Sequence, residues 1–241
     1  MTETLLTVQG ISKRYAPRWV LRNVSFAVHS GEALGLIGPN GAGKTTLFEC
    51  LAGLSPADAG TLTYRDQPLA PENRQKALFY LPDGITPWAA QTVRWALEFF
   101  EKLYRTSQTN ANELAQELKL DHLLLSRIGS LSKGERKRLL LALGLLTPQP
   151  LLMLDEPFDG LDLRQTRDVM ALLRRHAEAG RTLMLSIHQL TDAARVCDRL
   201  VLLSEGEVVG EGTIDELRAQ ANLDGSELPQ AGLEEIFLAL T

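Results

Sequence analysis

Apolar residues follow two rhythms along this chain. In "LLTVQGISKRY" (5–15) and "VLRNVSFAVH" (20–29) they alternate in places with polar residues, and β-branched side chains recur, which predicts strands. "EALGLIG" (32–38), "KALFYLP" (76–82), "LLMLD" (151–155), "TLMLSIH" (182–188) and "RLVLLSEG" (199–206) are almost wholly apolar, as buried parallel strands are. "TLTY" (61–64), after the turn "SPADAG", and "EVVGEG" (207–212) read as further short strands. The other rhythm is helical. "TTLFECLAGL" (45–54) sets Leu47, Cys50, Leu51 and Leu54 on one side, and "RQTRDVMALLRRHAEAG", "TDAARVCD" and "DELRAQ" continue the pattern later.

From about Thr92 to Thr147 the strands stop. "TVRWALEFFEKLY", "NELAQELKL" and "KGERKRLLLALGLL" are helical, with no strand-like run between them. This predicts a helical subdomain inserted into an α/β unit, whose alternation of strands and helices argues for a mostly parallel sheet covered on both faces. The expected division is a nucleotide-binding core at 1–90 and 150–220, a helical subdomain at 91–149 and a C-terminal helical tail at 221–241. In the tail, "GLEEIFLAL" is amphipathic and predicts a final docked helix.

Composition narrows the partners. The chain has 241 residues, 44% of them apolar, enough for a sizeable core, and a net charge of −5. A domain that coats nucleic acid is usually basic, so no nucleic-acid partner is expected, and no polybasic membrane face is indicated. Cys50 and Cys197 form no C-x-x-C pair and suggest neither a zinc site nor a disulfide framework. The opening "MTETLLTVQG" lacks a basic leader region. No run reaches the roughly 20 apolar residues of a membrane span, so work at a membrane requires a second chain.

The chemistry starts at "GPNGAGKTT", Gly38 to Thr46, between an apolar strand and an amphipathic helix. Gly38, Gly43, Lys44 and Thr45 satisfy G-x-x-x-x-G-K-[ST]. Glycines let main-chain N–H groups approach phosphate oxygens, and the helix that follows points its positive end at the same anion. Lys44 would reach the β- and γ-phosphates, and Thr45 would offer a hydroxyl to Mg²⁺. Pro39, Asn40, Gly41, Ala42 and Thr46 complete the expected phosphate cradle. "PLLMLDEP" then delivers Asp155 and Glu156 to the C-terminal edge of a strand, where open α/β sheets bind ligands. Asp155 can hold Mg²⁺ through water, and Glu156 can act as general base toward an attacking water.

Four further stretches separate this chain from other phosphate-loop proteins: Tyr15 upstream, "LSKGERKR" (131–138), "FDGLDL" after the acidic pair, and "SIHQL" with His188 at a strand end. Their order resembles the ATPase subunit of ABC (ATP-binding cassette) transporters over almost the whole chain. "LSKGE" resembles the signature usually written LSGGQ, "DGLD" the D-loop, and His188 the switch histidine. "YLPD" resembles the Q-loop, with Asp83 where glutamine or glutamate normally stands. The ending is similar to that of the ABC-2-type exporter branch.

The resemblance implies a P-loop ATPase, with an N-terminal antiparallel β portion beside the mostly parallel sheet, that binds ATP and Mg²⁺ and pairs head to tail with a second cassette, a homodimer being expected. Ser132, Lys133, Gly134 and Glu135 of one subunit would cap the nucleotide held by the other. Glu156 would activate water, His188 would contact the γ-phosphate, and Thr45, Asp155 and Asp83 would face the metal. It further implies an integral membrane permease as partner, and a cytoplasmic, peripheral location on the inner face of the cell membrane through that partner. Tyr15 would stack on adenine, with Trp19 a rival for the same place.

Some residues keep two readings. Ile85 and Trp88 lie in the region that resembles the family's contact with membrane subunits, or they cap the helical subdomain's core. Asp83 is a metal-side switch, or a turn residue in "PDG". The cations Lys133, Arg136, Lys137 and Arg138 read as a solvated helix face, and His29, His122 and His176 as surface residues. Two other functions compete with transport: a soluble ABC ATPase acting as regulator or mechanical switch, and a small-molecule kinase. The second has no use for "LSKGE".

Overall fold

The inner parallel strands of the main sheet bury alternate residues in different cores. In β3 (Ala33–Ile37), Leu34 and Leu36 join one apolar cluster while Ala33 and Ile37 join another. The same split runs through β7 (Leu151–Asp155), with Met153 on one face and Leu152 and Leu154 on the other, and through β8 (Thr182–Ile187), with Met184 opposite Leu183 and Leu185. A strand buried on both faces must be continuously apolar, which is why these segments show no alternation in the sequence. The structure is a computed structural model and describes residues 3–104, 110–221 and 233–240.

Among the described residues the strands form two sheets. β1 (Thr4–Tyr15) and β2 (Arg18–His29) make an antiparallel hairpin, β4 (Ala59–Tyr64) adds to β1, and β5 (Gln67–Pro68) to β4. The larger sheet has the order β10-β9-β3-β8-β7-β6, completed by β6 (Leu78–Leu81), β9 (Arg199–Ser204) and β10 (Glu207–Gly212). Its pairs are parallel from β9 through β6; only β10 is antiparallel, at the edge. One core fills the space between the two sheets around α1 (Lys44–Ala52). The other lies on the far face, under α3 (Val93–Tyr104), α4 (Ala111–Glu117), α5 (Lys133–Leu145), α6 (Leu163–Glu178) and α7 (Leu190–Val196). This is the mixed α/β arrangement with an antiparallel N-terminal part that the sequence predicts.

The helical block also forms as expected, with α3 and α4 packed on α5. α4 ends earlier than its pattern suggests, because Lys119 takes a left-handed backbone (φ 54°) and turns the chain. A short α2 (Arg74–Ala77) takes the start of "KALFYLP", so that strand begins only at Leu78. α8 (Ile214–Gln220) and α9 (Leu233–Leu240) close the chain, and α9 packs on α7 and α8. The rest of the expected tail lies outside the described residues. Among the described residues no helix is long and apolar enough to cross a membrane.

Candidate functional site

The parallel strands β3, β6, β7 and β8 all end on one edge of the sheet, where the phosphate loop follows β3, Asp83 follows β6, Asp155 ends β7 with Glu156 next, and His188 follows β8. After β3 comes the phosphate loop. Gly43, the residue before α1, has φ 108°, a conformation that side chains rarely adopt. At Gly38 the limit is space, because a Cβ there would stand 2.2 Å from the carbonyl oxygen of Leu203. Lys44 is buried and donates to the Gly38 carbonyl at 2.7 Å and the Pro39 carbonyl at 3.2 Å, folding its ammonium over the loop. Burial pulls Lys44 below its ordinary pKa, while the nearby Glu156 and Asp155 act the other way.

Asp155, at the end of β7, is the hub. Its Oδ2 accepts from Thr45 Oγ1 at 2.9 Å and from Tyr80 Oη at 3.3 Å, and its Oδ1 accepts from Ser186 Oγ. Burial first, then the Asp155 charge, pushes the Tyr80 phenol far up, so it stays a neutral donor. Ser186 Oγ also receives the Glu156 main-chain N–H at 3.0 Å. Tyr80 and Ser186 were not expected as site residues: each sits inside an apolar strand, and only the register of β6, β7 and β8 brings them to Asp155. The pairing of a hydroxyl with a carboxylate supplies the hard oxygen donors that Mg²⁺ prefers, so the donor set fits that ion.

Glu156 follows with φ 47°, a left-handed backbone unusual for a residue with a side chain. Such strain persists only where the surroundings over-determine it, and it gathers at functional sites. Glu156 and exposed His188 line one cleft of about 320 Å³ with Asp159 and Gln189. His188 also borders a cavity of about 340 Å³ with Gly38, Pro39, Asn40 and Phe237 of α9, so the last helix walls the phosphate loop.

The signature segment forms the start of α5. Ser132 is its N-cap: the Oγ accepts from Glu135 N at 3.3 Å, and Glu135 Oε2 accepts from Ser132 N at 2.8 Å. That reciprocal pair satisfies two otherwise orphaned donors. Gly134 is buried, and a Cβ there would meet the Gly160 carbonyl at 2.9 Å, so the glycine is needed for packing inside this subunit.

The expectation of a solvated basic face on α5 holds for Lys133, which is exposed, and is overturned for Lys137 and Arg138, which are buried. Lys133 donates to Asp159 Oδ2 at 2.6 Å, and Arg136 Nη1 donates to Thr86 Oγ1 at 2.9 Å. Arg138 is buried and donates to the Leu118 carbonyl at 2.7 Å. Lys137 is 6% exposed, pairs with Asp83 and donates to the Glu156 carbonyl at 2.9 Å. A periodicity count could not find this, because long cationic side chains reach past their own helix face. Asp83 thus has Lys137 as its partner. Its carboxylate also lies within 4.8 Å of those of Glu156 and Asp159.

The remaining expected residues lie at the surface. Tyr15 is exposed, with Lys13 Nζ 5.1 Å from its ring centre and Ser55 Oγ 3.3 Å from its hydroxyl; Trp19 is exposed beside Arg14. Ile85 packs against the core, whereas Trp88 is 41% exposed and meets Trp95 and Phe99, which stack on each other at 5.1 Å. His122 is exposed, but His29 and His176 are half-buried, and burial lowers the His176 pKa.

Comparison with known proteins gives a consistent result. The family model described as "ABC transporter" matches residues 21–159. The Nod factor export ATP-binding protein I of Rhizobium sp. (strain N33) is 33% identical over 88% of this chain and 72% of its own. The lipopolysaccharide export system ATP-binding protein LptB of Escherichia coli (strain K12) is 32% identical over 88% of this chain and 92% of its own. A solved structure described as an ATP-binding subunit of an ABC transporter is 31% identical, with a TM-score of 0.86 over 98% of this chain and 99% of that one.

Proposed function

This chain belongs to the ABC transporter family as an ATP-binding, ATP-hydrolysing subunit, and from that membership we infer how its residues divide the work. The observation that carries the reading is the convergence of Lys44 and Thr45 with Asp155 and Glu156, from two segments far apart in the sequence, on one edge of the sheet.

Lys44 and the N–H groups of 38–46 bind the phosphates at the positive end of α1. Thr45 and Asp155 would hold Mg²⁺, which when bound neutralises charge on the β- and γ-phosphate oxygens. Tyr80 and Ser186 keep Asp155 oriented, and Tyr15 offers its exposed ring to adenine. Glu156 takes the proton of the attacking water. The water oxygen bonds to the γ-phosphorus, the bond to the bridging oxygen breaks, and ADP leaves with that electron pair. His188 stands at the cleft mouth to contact the γ-phosphate.

Two copies face each other head to tail, and the first turn of α5, with Ser132 to Glu135, caps the partner's nucleotide. ATP then drives closure by favouring the closed pair over the open one. The core comprises 1–90 and 150–220, with the helical subdomain at 91–149 and the tail at 221–241. The exposed Trp88, Trp95 and Phe99 support docking of a membrane permease on the helical subdomain, which would hold the chain at the inner face of the membrane. Relatives named for export of a Nod factor and of lipopolysaccharide support export as the direction.

The test is sedimentation of a Glu156→Gln variant. Saturating Mg·ATP should convert monomers to dimers, and adding Ser132→Arg should prevent this while ATP still binds. A Glu156→Gln variant that stays monomeric, or a double variant that still dimerises, contradicts the pairing.

A further inference from the structure

Three carboxylates, Asp83, Glu156 and Asp159, crowd within 4.8 Å of one another, and two lysines one helical turn apart on α5 reach into them. Lys133 takes Asp159 at the exposed rim. Lys137 goes deeper. It is 6% exposed, and its ammonium spans two loops, pairing with Asp83 after β6 and donating to the Glu156 carbonyl after β7 at 2.9 Å. A lysine ammonium has three donors and no acceptor, so it can serve a carboxylate and a carbonyl at once.

The bond to Glu156 has a particular target. Glu156 holds φ 47°, so its peptide groups must be fixed from outside. Its N–H is fixed by Ser186 Oγ at 3.0 Å, and its C=O by Asp159 N at 3.2 Å and by Lys137. Of these partners only Lys137 comes from α5, the helix that begins with the signature segment.

We infer that Lys137 is a positioning residue for the general base: it fixes the strained main chain of Glu156 from α5, with Asp83 as the charge that holds its ammonium in place. The inference rests on the reading of Glu156 as the base. Among the described residues no hydrogen bond or ion pair joins Lys137 to the phosphate loop, so its loss should misdirect the Glu156 carboxylate without weakening nucleotide binding. It also makes the aim of the base depend on the docking of α5. Moving that helix would withdraw Lys137 from Glu156, so the base is correctly directed only while the signature helix is seated.

The test uses the purified full chain, with ATP turnover, affinity for a fluorescent ATP analogue and melting temperature measured together. Lys137→Met removes the donor. It should cut kcat by roughly 10- to 10²-fold, as expected for a small misplacement of a reacting group, with analogue affinity unchanged. Wild-type kcat in folded Lys137→Met, or a parallel loss of affinity and kcat, overturns the proposal. If Lys137→Met does not fold, Lys137→Gln decides: it keeps N–H donors but is shorter than lysine and carries no charge for Asp83 to hold. It should lower kcat at unchanged affinity, and a wild-type kcat overturns the proposal. Glu156→Gln separates the two readings. If it turns over normally, the base assignment falls; if it is inactive while Lys137→Met is fully active, only the role of Lys137 falls.

Discussion

Thr45 Oγ1 donates to Asp155 Oδ2 at 2.9 Å, joining residues 110 positions apart and fixing the first turn of α1 to the end of β7. The parallel register of β7 with β8 and β6 sets Asp155, and the left-handed glycine at 43 sets the start of α1.

Thr45→Val keeps the side-chain shape and removes the hydroxyl. If Thr45 and Asp155 hold the metal, the Mg²⁺ concentration for half-maximal ATP hydrolysis should rise by roughly 10–100-fold, the range seen when a metal ligand or its supporting group is lost. A Mg²⁺ titration at fixed ATP measures this, and an unmoved midpoint removes Thr45 from the metal site.

Asp83 pairs with a lysine that is 6% exposed. Asp83→Asn leaves that ammonium with the Glu156 carbonyl but without its charge partner, which should cost about 1–3 kcal/mol of stability. Combined with Lys137→Met the loss should be less than additive, with a coupling of roughly 0.5–3 kcal/mol. Denaturant melts of the four proteins give the cycle; strict additivity contradicts the pair. The Mg²⁺ titration of Asp83→Asn should match wild type, because its carboxylate serves Lys137.

Ser132 caps α5 whether or not a partner is bound. Ser132→Ala should therefore destabilise the isolated subunit by about 1 kcal/mol, seen as a lower melting temperature without nucleotide. Ser132→Asn, another strong cap, should restore most of it. An unchanged melting temperature for Ser132→Ala would mean the capping bond contributes nothing.

Much of this was legible in the sequence because it is local. The phosphate loop is one contiguous pattern, and the buried strands announce themselves as apolar runs. The residues that sequence reasoning missed act across the sheet or past a helix face. Tyr80 and Ser186 reach Asp155 only through strand register. Lys137 and Arg138 look like solvated cations in a count of charges, yet α5 is packed on both flanks, and their long stems carry the charge to carbonyls of other segments. Gly134 invites a functional reading, yet the approach of the Gly160 carbonyl already requires it.

The central claim is that Glu156 activates water at a nucleotide held by Lys44 and Thr45. The most direct measurement is ATP turnover together with ATP affinity in Glu156→Gln. The account predicts turnover reduced by roughly 10²–10⁴-fold, the contribution of a general base, with ATP bound as tightly as in wild type. Turnover at the wild-type rate would contradict it.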